Sequence, residues 1–370
     1  MNVETMIYAY LTICVSMIMF NCACTVVFRR SSKALDQRSS HLEEEIQGQI
    51  RRIELGEPVE ESHKKLLRKK LAWTSHLMAF DEALDRLLKQ NADAVWVYLR
   101  EIGPVFPYLA LENRYYSAMK LTYFAYVVKK YRIVQGKPVG PILDIMMRLL
   151  REPSLYCREN ALQAIYSTGD CGCVLRALKE VDAGSRFHHA KLLTDGLLVF
   201  SGDSKELGGA LWRAFGQFSD RMKVVILDYF RFSGMELRQE LLQLLADSRE
   251  DDELRFSCIR YFGKYPYDQA FPLLIGFAER AEDNRWEYAA IAATALASYP
   301  CQRSIDVLKK DLSNSNWYIR FNAAKSLERF GLSYLELSDV LEENDRYARE
   351  ILQYQIDMKN AREEQEAVLV

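Results

Sequence analysis

Proline and glycine are both scarce, with 9 and 17 residues in a chain of 370. That paucity excludes a collagen-like or low-complexity chain and does not suit a turn-rich β sandwich. A charge excess is also missing: 49 basic residues stand against 51 acidic ones, for a formal net charge of −2. Proteins that wrap nucleic acid need a basic surplus, so no nucleic-acid partner is expected. Histidine is confined to His41, His63, His76, His188 and His189, with no HxxxH or HExxH pair among them. The 8 cysteines contain no CxxC pair, and Cys171-Gly172-Cys173 has no second half. No metal is therefore expected. There is no glycine-rich phosphate loop and no GxSxG elbow, so neither a cofactor nor a catalytic residue is assigned.

One apolar run stands out. Residues 6–28, MIYAYLTICVSMIMFNCACTVVF, carry no charge. At a helical rise of about 1.5 Å per residue the run spans about 35 Å, enough to cross a bilayer. Arg29, Arg30, Lys33 and Arg38 follow it. Cations held on the cytoplasmic side predict a single pass through the cell membrane, residues 1–5 outside and the rest in the cytoplasm. A cleaved signal peptide would need a basic start and a shorter apolar stretch. Buried free cysteines in the remainder would agree with a reducing compartment.

Residues 29–72 are mixed in charge and interrupted by Gly56 and Pro58. They read as a solvated helical stalk. Lys64, Lys65, Arg68, Lys69 and Lys70 put five cations within seven residues. Two readings stay open for them: anionic lipid headgroups, or an ordinary solvated face.

From residue 74 the apolar periodicity is helical. A longer period overlies it. Gly103, Gly136, Gly169, Gly202, Gly234, Pro266, Pro300 and Gly331 recur at intervals of 31 to 34 residues. Apolar pairs three residues apart flank these breakers, as in Leu162/Ile165 before Gly169 and Ile305/Leu308 after Pro300. Each unit is thus a pair of antiparallel helices that buries its stripe against its neighbours. Residues 73–102 would cap one end of the array, and 359–370 would form an acidic, disordered tail.

The segments LYCRENALQAIYSTG (155–169), ELRFSCIRYFGKYP (253–266) and NWYIRFNAAKSLERFG (316–331) resemble the second helices of HEAT repeats. Leu254-Arg255, Ile319-Arg320 and Ala323-Ala324 carry the likeness, which spans about residues 103–358. It departs at Ala289, where the arginine is absent, and at Lys191 and Lys223, where lysine replaces it. The resemblance implies an all-α chain: a right-handed α-solenoid of about seven to eight hairpins behind one transmembrane helix. It also implies a binding role, since such repeats seldom carry catalysis.

Arg158, Lys191, Lys223, Arg255 and Arg320 stand eleven residues before successive breakers and would stack into a basic ladder. The ladder could receive an acidic or phosphate-bearing partner segment. Alternatively, each cation caps the preceding interhelix turn, paired with acceptors such as Asp251 or Asn316. A second candidate surface is the aromatic cluster Tyr115, Tyr116, Tyr123 and Tyr126, which reads either as a partner patch or as repeat packing. The function expected is a membrane-anchored scaffold that binds a membrane-associated protein. By resemblance to anchored HEAT-repeat accessory proteins of bacteria, that protein would be part of a machine such as a polysaccharide glycosyltransferase. The alternative is an enzyme similar to HEAT-like bilin lyases or DNA glycosylases; the lyase version would use Cys171 and Cys173 as reactive thiols, and the balanced charge counts against the DNA-directed one.

Overall fold

In a computed structural model the described residues are 3–113, 118–137, 139–280, 285–342 and 345–368. Among them the chain is all-helical, with twenty α-helices and no strand. It divides into two compact units. Unit 1 comprises Met1–Phe187 with Phe200–Gly202, and unit 2 comprises His188–Val199 with Asp203–Val370.

Unit 1 contains α1 (Val3–Glu54), α2 (Glu61–Leu71), α3 (Thr74–Gln90), α4 (Ala92–Glu101), α5 (Val105–Asn113), α6 (Ala118–Lys130), α7 (Pro141–Leu149), α8 (Leu155–Tyr166) and α9 (Cys171–Ala183). No proline interrupts α1, which stops just before Gly56 takes a left-handed φ of 80°. The helix is long and apolar enough at its start to cross a membrane. Its second half departs from the expected stalk. Ser39, Leu42, Ile46 and Ile50 recur every three or four residues and are buried, where α1 packs on α3 and α4. Four apolar or small residues in helical phase suffice to make a core stripe, although the segment's average composition is polar. Helix α2 does the same with His63, Leu67 and Leu71, packing on α3 and α5. The first elements of the folded unit are therefore α1 and α2, ahead of the cap expected from residue 73.

Beyond α3, α6 packs against both α3 and α8, and α5 against both α2 and α7. Helix α7 shows how little sequence this takes. Proline at its first position starts the helix, and Ile142, Leu143, Ile145, Met146 and Leu149 form its buried face. Where two turns meet, space is the constraint. A Cβ on Gly202 would lie 2.5 Å from the Gly169 carbonyl, so only glycine permits that approach.

Unit 2 contains α10 (Ala190–Leu198), α11 (Ser204–Ala214), α12 (Asp220–Ser233), α13 (Arg238–Ala246), α14 (Asp252–Lys264), α15 (Phe271–Glu279), α16 (Trp286–Leu296), α17 (Gln302–Leu312), α18 (Trp317–Arg329), α19 (Tyr334–Leu341) and α20 (Arg346–Val368). The even-numbered helices pack in sequence, α10 on α12 and onward to α18 on α20, while α15 packs on α17 in a second layer. This is the stacking of helical hairpins. All eight periodic breakers fall between helices in the two units. Asp251, Asn316 and Ser333 each accept a backbone N–H at the start of the helix they cap. Helix α20 continues through Val368, where a disordered tail was expected. Residues 359–368 contain good helix formers and no proline or glycine, so nothing local stops the helix.

Candidate partner-binding groove

The ladder residues separate into different environments. In unit 1, Arg158 is buried and donates to the carbonyls of Glu152, Pro153 and Phe187 at 2.8, 2.8 and 2.7 Å. In unit 2, Arg255 is buried and donates to the Leu245 carbonyl at 3.1 Å and to the Tyr288 hydroxyl at 2.9 Å. Tyr288 in turn donates to Asp252 at 2.7 Å. These two arginines are buried and donate to carbonyls in or beside interhelix turns, so a ligand would have to compete with those bonds to reach them. Apart from the Tyr288 hydroxyl the acceptors are backbone oxygens; Asp251 and Asn316 serve as N-caps instead. Lys191 is exposed, and Lys223 pairs with Asp220 at 2.8 Å. Arg221, which the spacing did not select, donates to the His188 carbonyl. Only its position near the start of a second helix could have flagged it.

Arg320 is different. It lies half-buried with its guanidinium 5.3 Å from the Tyr347 ring, in a groove of about 500 Å³ lined by Trp317, Phe321, Tyr347, Glu350, Ile351 and Tyr354. Helical phase builds this groove. Trp317, Arg320 and Phe321 stand at i, i+3 and i+4 on α18, and Tyr347, Glu350, Ile351 and Tyr354 at i, i+3, i+4 and i+7 on α20. The two stripes face each other because α18 packs on α20.

The aromatic rings are held without being covered. Trp317 stacks on Phe321 at 4.9 Å and meets Tyr318 edge-on at 5.3 Å, while Tyr318 stacks on Trp286 at 5.2 Å. Trp317, Tyr347 and Tyr354 nevertheless remain 51%, 66% and 54% exposed. Asp345 anchors the start of α20 by accepting the Ala348 and Tyr347 N–H groups. Those N–H bonds, chiefly that of Ala348, hold its carboxyl below the usual range, and Arg320 adds to the effect. Arg346 pairs with Glu350 at 2.7 Å at the groove's edge. Exposed aromatics beside an arginine are the residue types enriched at protein-binding hot spots.

The aromatic cluster turns the other way. Tyr115 and Tyr116 lie outside the described residues. Tyr123 and Tyr126 are half-buried, and Tyr123 donates to Asp81 at 2.9 Å. Tyr131 and Lys130 reach the same carboxylate, both at 2.7 Å. In the basic cluster, Lys64 pairs with Glu61 and Lys70 with Glu45, each at 2.9 Å. Arg68 lies over the Tyr108 ring at 4.9 Å. Lys65 and Lys69 are exposed on α2, as are Arg29, Arg30 and Lys33 on α1.

For the thiols, burial first and then Asp170 push Cys173 up to about 11, so it carries almost no thiolate at neutral pH. Among the described residues no group of three His, Cys, Asp or Glu side chains could hold a metal ion.

A family model described as HEAT repeats matches residues 276–354. No curated protein matches the chain. Among solved structures, human deoxyhypusine hydroxylase in complex with glycerol aligns at 13% identity and a TM-score of 0.28, over 81% of this chain and 97% of that one. The segment that is similar to HEAT repeats is the one that carries Trp317, Arg320, Tyr347 and Tyr354.

Proposed function

We propose that the protein is a membrane-anchored scaffold of the right-handed α-solenoid type, with the groove between α18 and α20 capturing a segment of a partner protein. The single observation that carries this reading is the pair of facing aromatic stripes centred on Arg320. Trp and Tyr supply large contact area at little cost in side-chain entropy, and Arg320 orients an acidic or carbonyl group of the segment.

Residues 6–28 act as the anchor, with the N-terminus outside and both units in the cytoplasm. The unbroken passage of α1 from that run toward the packed stripe at Leu42 and Ile46 supports the anchor, and the cations Arg29, Arg30, Lys33 and Arg38 that follow the run support the orientation. The partner is a membrane-associated protein, and resemblance to anchored HEAT-repeat accessory proteins makes a polysaccharide glycosyltransferase the first to seek. Affinity purification from native membranes tests the reading. Wild type should retain its partner, and the double variant Trp317→Ala/Tyr347→Ala should lose most of it at unchanged expression. Equal recovery with both chains would overturn the groove as the binding site.

A further inference from the structure

We infer that unit 1 does not hang free below its anchor: the end at which α3 and α8 begin rests on the headgroup layer of an anionic bilayer. The inference depends on the reading of residues 6–28 as a membrane span. Helix register supplies the geometry. Ser39–Glu82 and Gln47–Gln90 both join residues 43 apart, so α3 runs parallel to α1 and Trp73 falls level with Arg30. Tyr123–Asp81 and Lys130–Asp85, 42 and 45 apart, set α6 beside α3 in the same direction, and Thr122–Cys157 with Gly136–Thr168, 35 and 32 apart, do so for α8 beside α6. Along the helix axes the start of α8 thus falls within about two helical turns, roughly 10 Å, of the level of Arg30. Lys120 links the set, its ammonium 5.9 Å from the Trp73 ring.

That end is built like a membrane-interface belt. Trp73, Tyr156 and Phe187 are 68%, 80% and 68% exposed, and the Phe187 carbonyl is held by Arg158. Exposed cations surround them: Arg29, Arg30, Lys33, Lys69 and Arg186. Trp73 falls within the headgroup zone, which is about 5–7 Å thick on each side, and Tyr156 starts about 10 Å past the apolar run, with its side chain directed back toward the helix N-terminus and so toward that zone. Neither α3 nor α8 has a side-chain N-cap, so the positive ends of their dipoles also face this surface. A protein partner would not need the belt to coincide with the end of the apolar run. A bilayer does.

The test uses the full chain in nanodiscs of phosphatidylcholine with phosphatidylglycerol, half of them made with lipids brominated near the headgroup. Helix α1 contains no tryptophan, so the span itself contributes no tryptophan quenching. The expected result is clear quenching of the wild type and loss of most of it in Trp73→Phe, with slowed amide exchange at residues 184–187 relative to detergent micelles. Equal quenching in both chains with unslowed exchange, in protein that is incorporated, would overturn the docking and leave the anchor standing. A chain that stays soluble without detergent would overturn the anchor and the docking together.

Discussion

The two units spend similar residues in opposite ways. In unit 1 the aromatics of α6 and of the turn that follows it face inward: Tyr123 and Tyr131 donate to Asp81, and Lys130 bridges Asp81 and Asp85. In unit 2 aromatics of α18 and α20 turn outward, Trp317 stacking on Phe321 within α18, and line a groove that stays open. The difference is one of helical phase. A tyrosine on the face that meets the next helix becomes core, and the same residue a third of a turn away becomes a surface. An aromatic count therefore says little about binding until the packing face is known.

The contrast between the units is most vulnerable in the core of unit 1. Ile46→Ala deletes a fully buried side chain where α1 meets α3, and should cost unit 1 about 2–5 kcal/mol. Hydrogen exchange should show α1 and α3 opening while α18 and α20 keep their protection; an unchanged unit 1 would mean that this half of α1 is a solvated stalk after all. Next comes Arg255→Ala, which strands the Leu245 carbonyl and leaves the Tyr288 hydroxyl with Asp252 alone, at about 1–3 kcal/mol. Unit 2 should melt earlier and partner recovery should persist below that melting point. Lost recovery in a folded variant would return Arg255 to a ligand-binding ladder.

A pH experiment sharpens the picture of unit 2. Burial pushes the Asp311 carboxyl up to about 7 from its ordinary 3.8, and its Oδ2 has no hydrogen-bond partner. The folded state then binds more protons than the unfolded one between these values, so stability falls as pH rises from about 4 to 7. Asp311→Asn should remove that decline, gaining on the order of 4 kcal/mol at pH 8 and little at pH 4 in paired thermal melts. The mildest change is Ser333→Ala, which removes the capping box with Glu336 at the start of α19 and should cost about 1 kcal/mol locally. Amide exchange of α19 should quicken while α3 is unaffected.

Several features were legible in the amino-acid order alone. The 23 uncharged residues of 6–28 are long enough to span a bilayer whatever they pack against. The breakers spaced 31 to 34 residues apart end helices locally, through missing N–H groups or left-handed backbone, as at Gly234 with φ 78°. Both are properties of a segment and its immediate neighbours. Other features depend on contacts between residues far apart in the chain. Polar average composition concealed the stripe Ser39, Leu42, Ile46 and Ile50, because a helix needs only one apolar face and α3 supplied its partner 43 residues later. Equal spacing made Arg158, Lys191, Lys223, Arg255 and Arg320 look alike, yet burial and turn carbonyls separated Arg255 from Arg320. Periodicity thus determined where helices stop and repeat, while the packing of one helix on the next decided which side chains face water. Side-chain chemistry is available to a partner only where that packing leaves it exposed.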